Sequence, residues 1–282
     1  MNVTPRYLGR GSWLARRDPR VLVIAVVLFI VAAIQVWDPR VMALVLLIAL
    51  AYYRSAAIPF RAVRRNWIAA ITLLSIVVLV NTVLTGERNY GVEVHPYFAF
   101  PLIGTIFSAE TVAYAASQWM RYVAMVAVGF PIAFCIAPSD FGVTFARLGV
   151  PSKFAFGVDL TFRFLPSLAN DYHETIDAQR VRGYDPTRRG RGPIGRLRAA
   201  APLVTPLTVN ALAGAEDTID AMDLRAFGTG TRTWLRELQF DQTDWIVLAG
   251  FLFLVVVLTI LGFAGITSKL WVPQFLIDLA PR

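Results

Sequence analysis

Long apolar runs with short polar breaks fill the first half of the chain, and a different pattern takes over beyond it. Val21–Trp37 contains no charged residue and would rise about 25 Å as a helix. Asp38-Pro39-Arg40 makes a turn, and Val41–Tyr53 returns as a run short for a full span, which predicts a tilted or partly buried helix. Trp67–Thr85 reads as a third span, Trp119–Ile136 as a fourth with Pro131 as a kink, and Trp245–Leu261 as the fifth and most apolar. Leu270–Leu279 holds Pro273 and is too short to cross, so an interfacial tail is expected there. The fold predicted is all-α: a polytopic membrane protein with about five transmembrane helices.

From Ala137 to Asp244 the apolar residues recur at helical spacing instead of in runs. Leu165, Leu168, Tyr172 and Ile176 mark one stripe, with Asp171, Glu174 and Asp177 away from it; Leu212, Ala215, Ile219 and Met222 mark another, opposite Glu216, Asp217, Asp220 and Asp223. Phe154–Pro166 and Ala199–Ala215 are apolar enough to lie in or against a membrane without spanning it. Between the stripes, Arg180, Arg182, Arg188, Arg189, Arg191, Arg196 and Arg198 form a basic elbow with Gly and Pro breakers. Three regions are therefore predicted: residues 1–136 with four apolar helices, 137–244 with a pair of long amphipathic helical arms, and 245–282 with a final span and a short tail.

Composition agrees with this division. The 282 residues are 56% hydrophobic and 16% charged, with a mean hydropathy of +0.57, whereas soluble domains carry about a quarter charged residues. The net charge of +8 belongs to basic loops beside a membrane and not to a nucleic-acid surface. Arg6, Arg10, Arg16, Arg17 and Arg20 precede the first run as in a secretion signal, but Gln35-Val36-Trp37-Asp38 offers no small cleavage-site residues, so the helix is expected to be retained. Arginine density puts the N-terminus, the connection with Arg54, Arg61, Arg64 and Arg65, and residues 137–244 on the cytoplasmic side. The Gly86–Ala115 connection, with Glu87, Glu93 and Glu110 against Arg88, belongs outside. Arg121 near the start of the fourth run is expected to reach the outer interface or to pair with Glu110.

Little catalytic chemistry can be assembled. Cys135 is the single cysteine and there are two histidines, so no disulfide or metal cage is expected. His173-Glu174 begins like a zinc-protease helix, but Asp177 stands where the second histidine is needed. No G-x-x-x-x-G-K-[ST] stretch occurs, so no phosphate cradle is predicted. Asp159 and Arg163 have the spacing of a local ion pair on a helix. Catalytic residues, cofactors and metals are all expected to be absent.

One internal repeat stands out. Thr175-Ile176-Asp177-Ala178-Gln179-Arg180-Val181-Arg182-Gly183-Tyr184 returns, with an offset of 43, as Thr218-Ile219-Asp220-Ala221-Met222-Asp223-Leu224-Arg225-Ala226-Phe227. A lone arginine before glycine is an ordinary way to end a helix. End-capping does not account for the same Thr-Ile-Asp-Ala register before both arginines, nor for an aromatic after both. Two equivalent arginine tips point to two docking elements that face two equivalent partners.

Leu148-Gly149-Val150-Pro151, Arg163-Phe164-Leu165-Pro166 and Ala178-Gln179-Arg180-Val181-Arg182-Gly183 resemble the transmembrane coupling subunit of energy-coupling factor transporters, the EcfT/CbiQ family. Ala221-Met222-Asp223-Leu224-Arg225-Ala226-Phe227 is similar to that family's second signature, Ala-Met-Glu-Ala-Arg-Gly-aromatic, and Arg17-Asp18-Pro19-Arg20 to its N-terminal Asp-Pro-Arg. The resemblance implies a partnership with two ABC-type ATPase subunits, or a fused pair, and with a small membrane protein, the S component, that captures a vitamin or transition-metal ion. It also implies that Arg182, Gly183, Arg225 and Ala226 dock on the ATPases, with Ala178, Gln179, Arg180, Ala221 and Asp223 in support. One departure is Ala226 in place of glycine: alanine resists the left-handed conformation, which would move the turn to Gly228. A self-contained membrane enzyme acting on lipid-linked substrates and a stand-alone permease remain as alternatives at this point.

Overall fold

The computed structural model describes residues 12–85, 96–99, 106–184, 193–230, 234 and 238–278. Its chain divides into two compact units, one comprising residues 6–137 and 238–282, the other residues 138–237 with residues 1–5.

The first unit contains α1 (Pro19–Ile34), α2 (Pro39–Ser55), α3 (Phe60–Thr85), β1 (Pro96–Ala99), β2 (Ile106–Ser108), α4 (Ala109–Cys135), α8 (Gln242–Phe263) and α9 (Gln274–Asp278). The second contains α5 (Phe141–Arg147), α6 (Ser152–Val181) and α7 (Pro193–Asp223). The protein is thus helical, as its pattern predicts, with a single short antiparallel ribbon, β1–β2, among the described residues. Among the described residues three helices, α3, α4 and α8, are long and apolar enough to cross a membrane, and α1 is a shorter apolar helix.

Asp-Pro-Arg starts two of these helices in the same way. Asp18 and Asp38 each accept a hydrogen bond from the backbone N–H two residues on (Arg20, 2.9 Å; Arg40, 2.8 Å), and the proline occupies the first turn, where no N–H is missed. Packing in this unit relies on small residues. Ala25, Ala32 and Ala33 of α1, Ala49 of α2, and Ala124 and Ala127 of α4 are fully buried, which lets backbones approach closely where lipid offers no hydrophobic drive to associate. Aromatic groups fill the wider gaps. Trp67 of α3 meets Tyr53 of α2 and Phe130 of α4 edge-on at centroid distances of 5.4 and 4.8 Å, and its indole N–H donates to the Tyr53 hydroxyl at 3.0 Å.

The two ends of the bundle are tied differently. At the end where α1 and α8 begin, Arg17 donates to Asp241 at 2.8 Å and lies 4.0 Å from Asp244. Asp241 and Asp244 form a capping box on α8, and Asp244 is buried. At the other end, the Trp37 N–H donates to the Thr267 carbonyl at 2.8 Å, and Arg40 stacks over the Trp271 ring, 3.3 Å from its centroid.

Three expectations change here. The fourth helix begins at Ala109, ten positions ahead of the apolar run, because Ser108 caps it by accepting from the Thr111 N–H at 3.3 Å. Its first turns hold Glu110, Thr111 and Ser117, which are polar yet buried, so no apolar signal marks them. The Gly86–Ala115 connection shortens accordingly, and its residues 86–95 and 100–105 lie outside the described residues. The segment from Leu270 is also not a plain interfacial tail. Leu270 and Val272 are buried in a cluster with Ala109, Ala113 and Tyr114, against which Tyr97, Leu276 and Ile277 pack. Arg121, for its part, turns inward and donates to the Val36 carbonyl and to Gln118. That carbonyl lies just past the end of α1, where the helix dipole favours a cation.

Candidate functional site

The second unit is a short helix followed by two long ones. Gly149, with φ of +96°, reverses the chain after α5, and Pro151 stands as the N-cap of α6. Gly142 is what allows α5 to lie on α6: a Cβ there would fall 2.6 Å from the Asp159 Cβ and 3.0 Å from the Ala155 carbonyl. Phe141 stacks on Phe162 at 5.2 Å beside this contact. Asp159 therefore faces Gly142, and the ion pair expected with Arg163 does not form.

From there α6 and α7 extend as continuous helices of 30 and 31 residues, despite Pro166 in one and Pro202 and Pro206 in the other. At 1.5 Å per residue each is about 45 Å long. Their apolar stripes are only partly covered: Leu165, Ile176 and Met222 are half-buried. Leu168 and Tyr172 on α6 and Leu212 and Ile219 on α7 are all exposed. Each arm thus presents apolar side chains to its surroundings along part of its length.

The two repeat segments end these helices in the same conformation. After α6, the Arg182 N–H donates to the Gln179 carbonyl (3.0 Å), Gly183 to Arg180 (2.9 Å) and Tyr184 to Gln179 (3.0 Å). After α7, Arg225 donates to Met222 (3.1 Å), Ala226 to Asp223 (2.9 Å) and Phe227 to Met222 (3.0 Å). These are the crossed bonds of a left-handed C-cap, with Gly183 at φ +81° and Ala226 at φ +52° in the turning position. The turn therefore does not move to Gly228. Ala226 adopts the left-handed region itself, at a cost of roughly 1–2 kcal/mol, and Gly228 follows with a second positive φ of +90°.

Burial repeats as well. Over Ala178–Tyr184 and over Ala221–Phe227 the same positions are exposed and the same two, Gln179 with Tyr184 and Met222 with Phe227, are half-buried. Each arginine, Arg182 and Arg225, thus stands on an exposed rim. A family model described as CbiQ, cobalt transport protein, matches residues 10–235. The chain belongs to the EcfT/CbiQ family.

Among its relatives, the energy-coupling factor transporter transmembrane protein EcfT of Bacillus selenitireducens is 26% identical over 259 residues, covering 88% of this chain and 92% of the relative. The protein of the same name from Thermanaerovibrio acidaminovorans is 28% identical over 267 residues (88% and 94%). That from Staphylococcus aureus is 24% identical over 271 residues (93% and 97%).

Within this EcfT/CbiQ chain the two tips differ in charge and bracing. Arg180 is paired with Asp177 at 3.0 Å, whereas the corresponding residues of the second tip, Asp223 and Asp220, are both acidic. The second tip is also braced: the Phe227 ring packs on Phe156 with centroids 4.5 Å apart. Phe156 precedes Arg182 by roughly 26 helical residues, about 39 Å along α6, so the two arginines stand at opposite ends of the helix pair. Arg188, Arg189 and Arg191 of the basic elbow lie outside the described residues.

Two residues were missed by reasoning on charge. Val181 and Leu224, immediately before the arginines, are each 90% exposed. The residue at that position of a left-handed C-cap points away from its helix; α5 fills it with Arg147, which is exposed. The shared aliphatic position of the repeat was the available signal.

Proposed function

We propose that this protein is the coupling subunit of an energy-coupling factor importer, carrying ATP-driven motion from two ATPases to a substrate-capturing S component that takes up a vitamin or transition-metal ion. The observation that carries this reading is the congruence of the two tips: the same backbone bonds, the same burial pattern and the same aliphatic-arginine pair, set about 39 Å apart. Two separated copies of one exposed element fit two related partners. A single active site gives no comparable reason for two of them.

In this reading Arg182 and Gly183 dock on one ATPase and Arg225 and Ala226 on the other. Guanidinium forks pair with carboxylates or carbonyls in each groove, supported from the helices by Ala178, Gln179, Arg180, Ala221 and Asp223. Residues 1–136 and 245–282 form the membrane part, and residues 137–244 face the cytoplasm with the N-terminus, following arginine density. ATP hydrolysis belongs to the partners, because this sequence has no phosphate-cradling loop of its own. Closure of the ATPases displaces the tips, and the stiff arms pass that displacement to the membrane side. Their exposed apolar stripes hold the S component there. Coupling requires the tips to bind the open and closed ATPase pair unequally. The paired Arg180 of one tip and the acidic Asp220 and Asp223 of the other suit two dissimilar ATPase surfaces better than two identical ones.

The test is charge reversal. Arg182→Glu and Arg225→Glu together should leave the protein in the membrane but abolish co-purification of the ATPases, since reversing a paired interfacial charge costs several kcal/mol. Undiminished ATPase recovery with the double variant would remove the docking role. With distinct partners, each single variant should release mainly one ATPase species.

A further inference from the structure

The start of α3 carries charge of the wrong sign for a helix N-terminus. Arg61, Arg64 and Arg65 stand in its first two turns, with no acidic residue in the first turn. A helix start favours anions, both through its dipole and through its unpaired N–H groups. Arg54 closes α2 just before it, and the connecting residues Ala56–Pro59 carry no charge. All four arginines are exposed, and none forms an ion pair among the described residues. Nor does the neighbouring sequence supply a counter-charge, for no Asp or Glu occurs from Val41 to Thr85.

A preference for basic residues at the cytoplasmic ends of spans accounts for arginines near this helix start, but it does not require three of them on one helix face. The connecting loop is left neutral, and three guanidiniums are gathered instead on one helix face at i, i+3 and i+4 spacing. The same face continues directly into apolar surface. Ile68 lies four residues beyond Arg64 and three beyond Arg65; it is 57% exposed, and Ile71 follows one turn deeper, also exposed. Phe60, at the head of the helix, is 60% exposed. A phosphate beside three guanidiniums above an apolar helix face matches a phospholipid in both its parts.

We propose that Arg61, Arg64 and Arg65, with Arg54 beside them, form a binding site for the headgroup of an anionic phospholipid, whose acyl chains lie along Ile68 and Ile71. The headgroup supplies a counter-charge that the described residues do not, and offsets the repulsion between the arginines and the helix start. The apolar continuation commits the site to a lipid and not to free phosphate. This inference does not depend on the docking role of Arg182 and Arg225.

The experiment compares the full chain with the variant Arg61→Gln/Arg64→Gln/Arg65→Gln, glutamine being a good helix former. Both are placed in nanodiscs of phosphatidylethanolamine with and without phosphatidylglycerol, and the lipids that remain bound after extraction into mild detergent are counted by native mass spectrometry. The wild type should retain phosphatidylglycerol several-fold above its bulk share and should melt at a higher temperature when it is present. The variant should retain lipids in the bulk ratio and lose that thermal shift. Should the variant fold poorly, the wild type alone still decides: bulk-ratio retention overturns the proposal, as does an equal thermal shift from inorganic phosphate in lipid-free detergent. A variant that keeps its lipid preference but loses ATPase association would assign the face to a protein partner, and the lipid site would be wrong.

Discussion

Val181 and Leu224 occupy corresponding positions in the two helix ends, and each is 90% exposed. A branched aliphatic side chain held out beside an arginine gains nothing in the isolated subunit. In a partner's groove each would bury its side chain, worth roughly 1.5–3 kcal/mol. Val181→Ser and Leu224→Ser should therefore each weaken ATPase binding by about 10- to 100-fold, with no change in melting temperature because neither side chain is packed. Titration of purified ATPase against the immobilised subunit checks this. Affinity unchanged in both variants would leave the arginines as the only anchors.

The contact between α5 and α6 sets the base of the first arm. With Cβ–Cβ separation of 2.6 Å, Gly142→Ala cannot be accommodated unless the helices part. A loss of about 1–3 kcal/mol is expected from such overpacking, read as a lower thermal midpoint in detergent. An unchanged midpoint would show that α5 is free to slide on α6.

The two turning residues should respond in opposite directions. Ala226, at φ +52°, pays the strain of a left-handed alanine, while Gly183 at φ +81° does not. Ala226→Gly should slow hydrogen exchange at the end of α7, and Gly183→Ala should speed it at the end of α6, each by roughly 1 kcal/mol of local stability. Space is not the issue at Gly183, since nothing lies within 4 Å of a Cβ placed there. Parallel changes in the two variants would contradict the assignment.

Acid should loosen the joint between the starts of α1 and α8. The Thr243 hydroxyl, then the Gln242 N–H, and more weakly the Arg17 charge hold the Asp241 carboxyl below its ordinary range. Its contribution is thus present above the ordinary carboxylate pKa and is lost as pH falls through the lowered value. Asp241→Asn should lower the thermal midpoint at neutral pH, converge with the wild type in acid, and so flatten the acid limb of a plot of midpoint against pH. An unaltered acid limb would move the titration to another carboxylate.

Orientation can be read with single cysteines in a Cys135→Ala background. Gly230→Cys should stay hidden from an impermeant reagent in intact cells, and Lys269→Cys should react. The reverse pattern would invert the topology proposed for both units.

Much of this architecture was legible in one dimension because a bilayer leaves few choices. Backbone groups in lipid must pair within their own helix, so apolar runs such as Trp67–Thr85 and Trp245–Leu261 announce α3 and α8 directly. The docking candidates were legible for a related reason: a left-handed C-cap is a local device, written in consecutive residues, and its two copies at Arg182 and Arg225 repeat in sequence. What depended on contacts between distant segments was not legible. Glu110, Thr111 and Ser117 look like loop residues until the bundle buries them in α4, and Leu270 with Val272 looks like a tail until Tyr114 and Ala113 receive it. Ala226 reads as a residue that refuses the left-handed turn; in the fold it accepts that turn where Phe227 packs on Phe156. Hydropathy and propensity are properties of single residues and near neighbours, whereas burial and strain are set by whatever the folded chain brings against them.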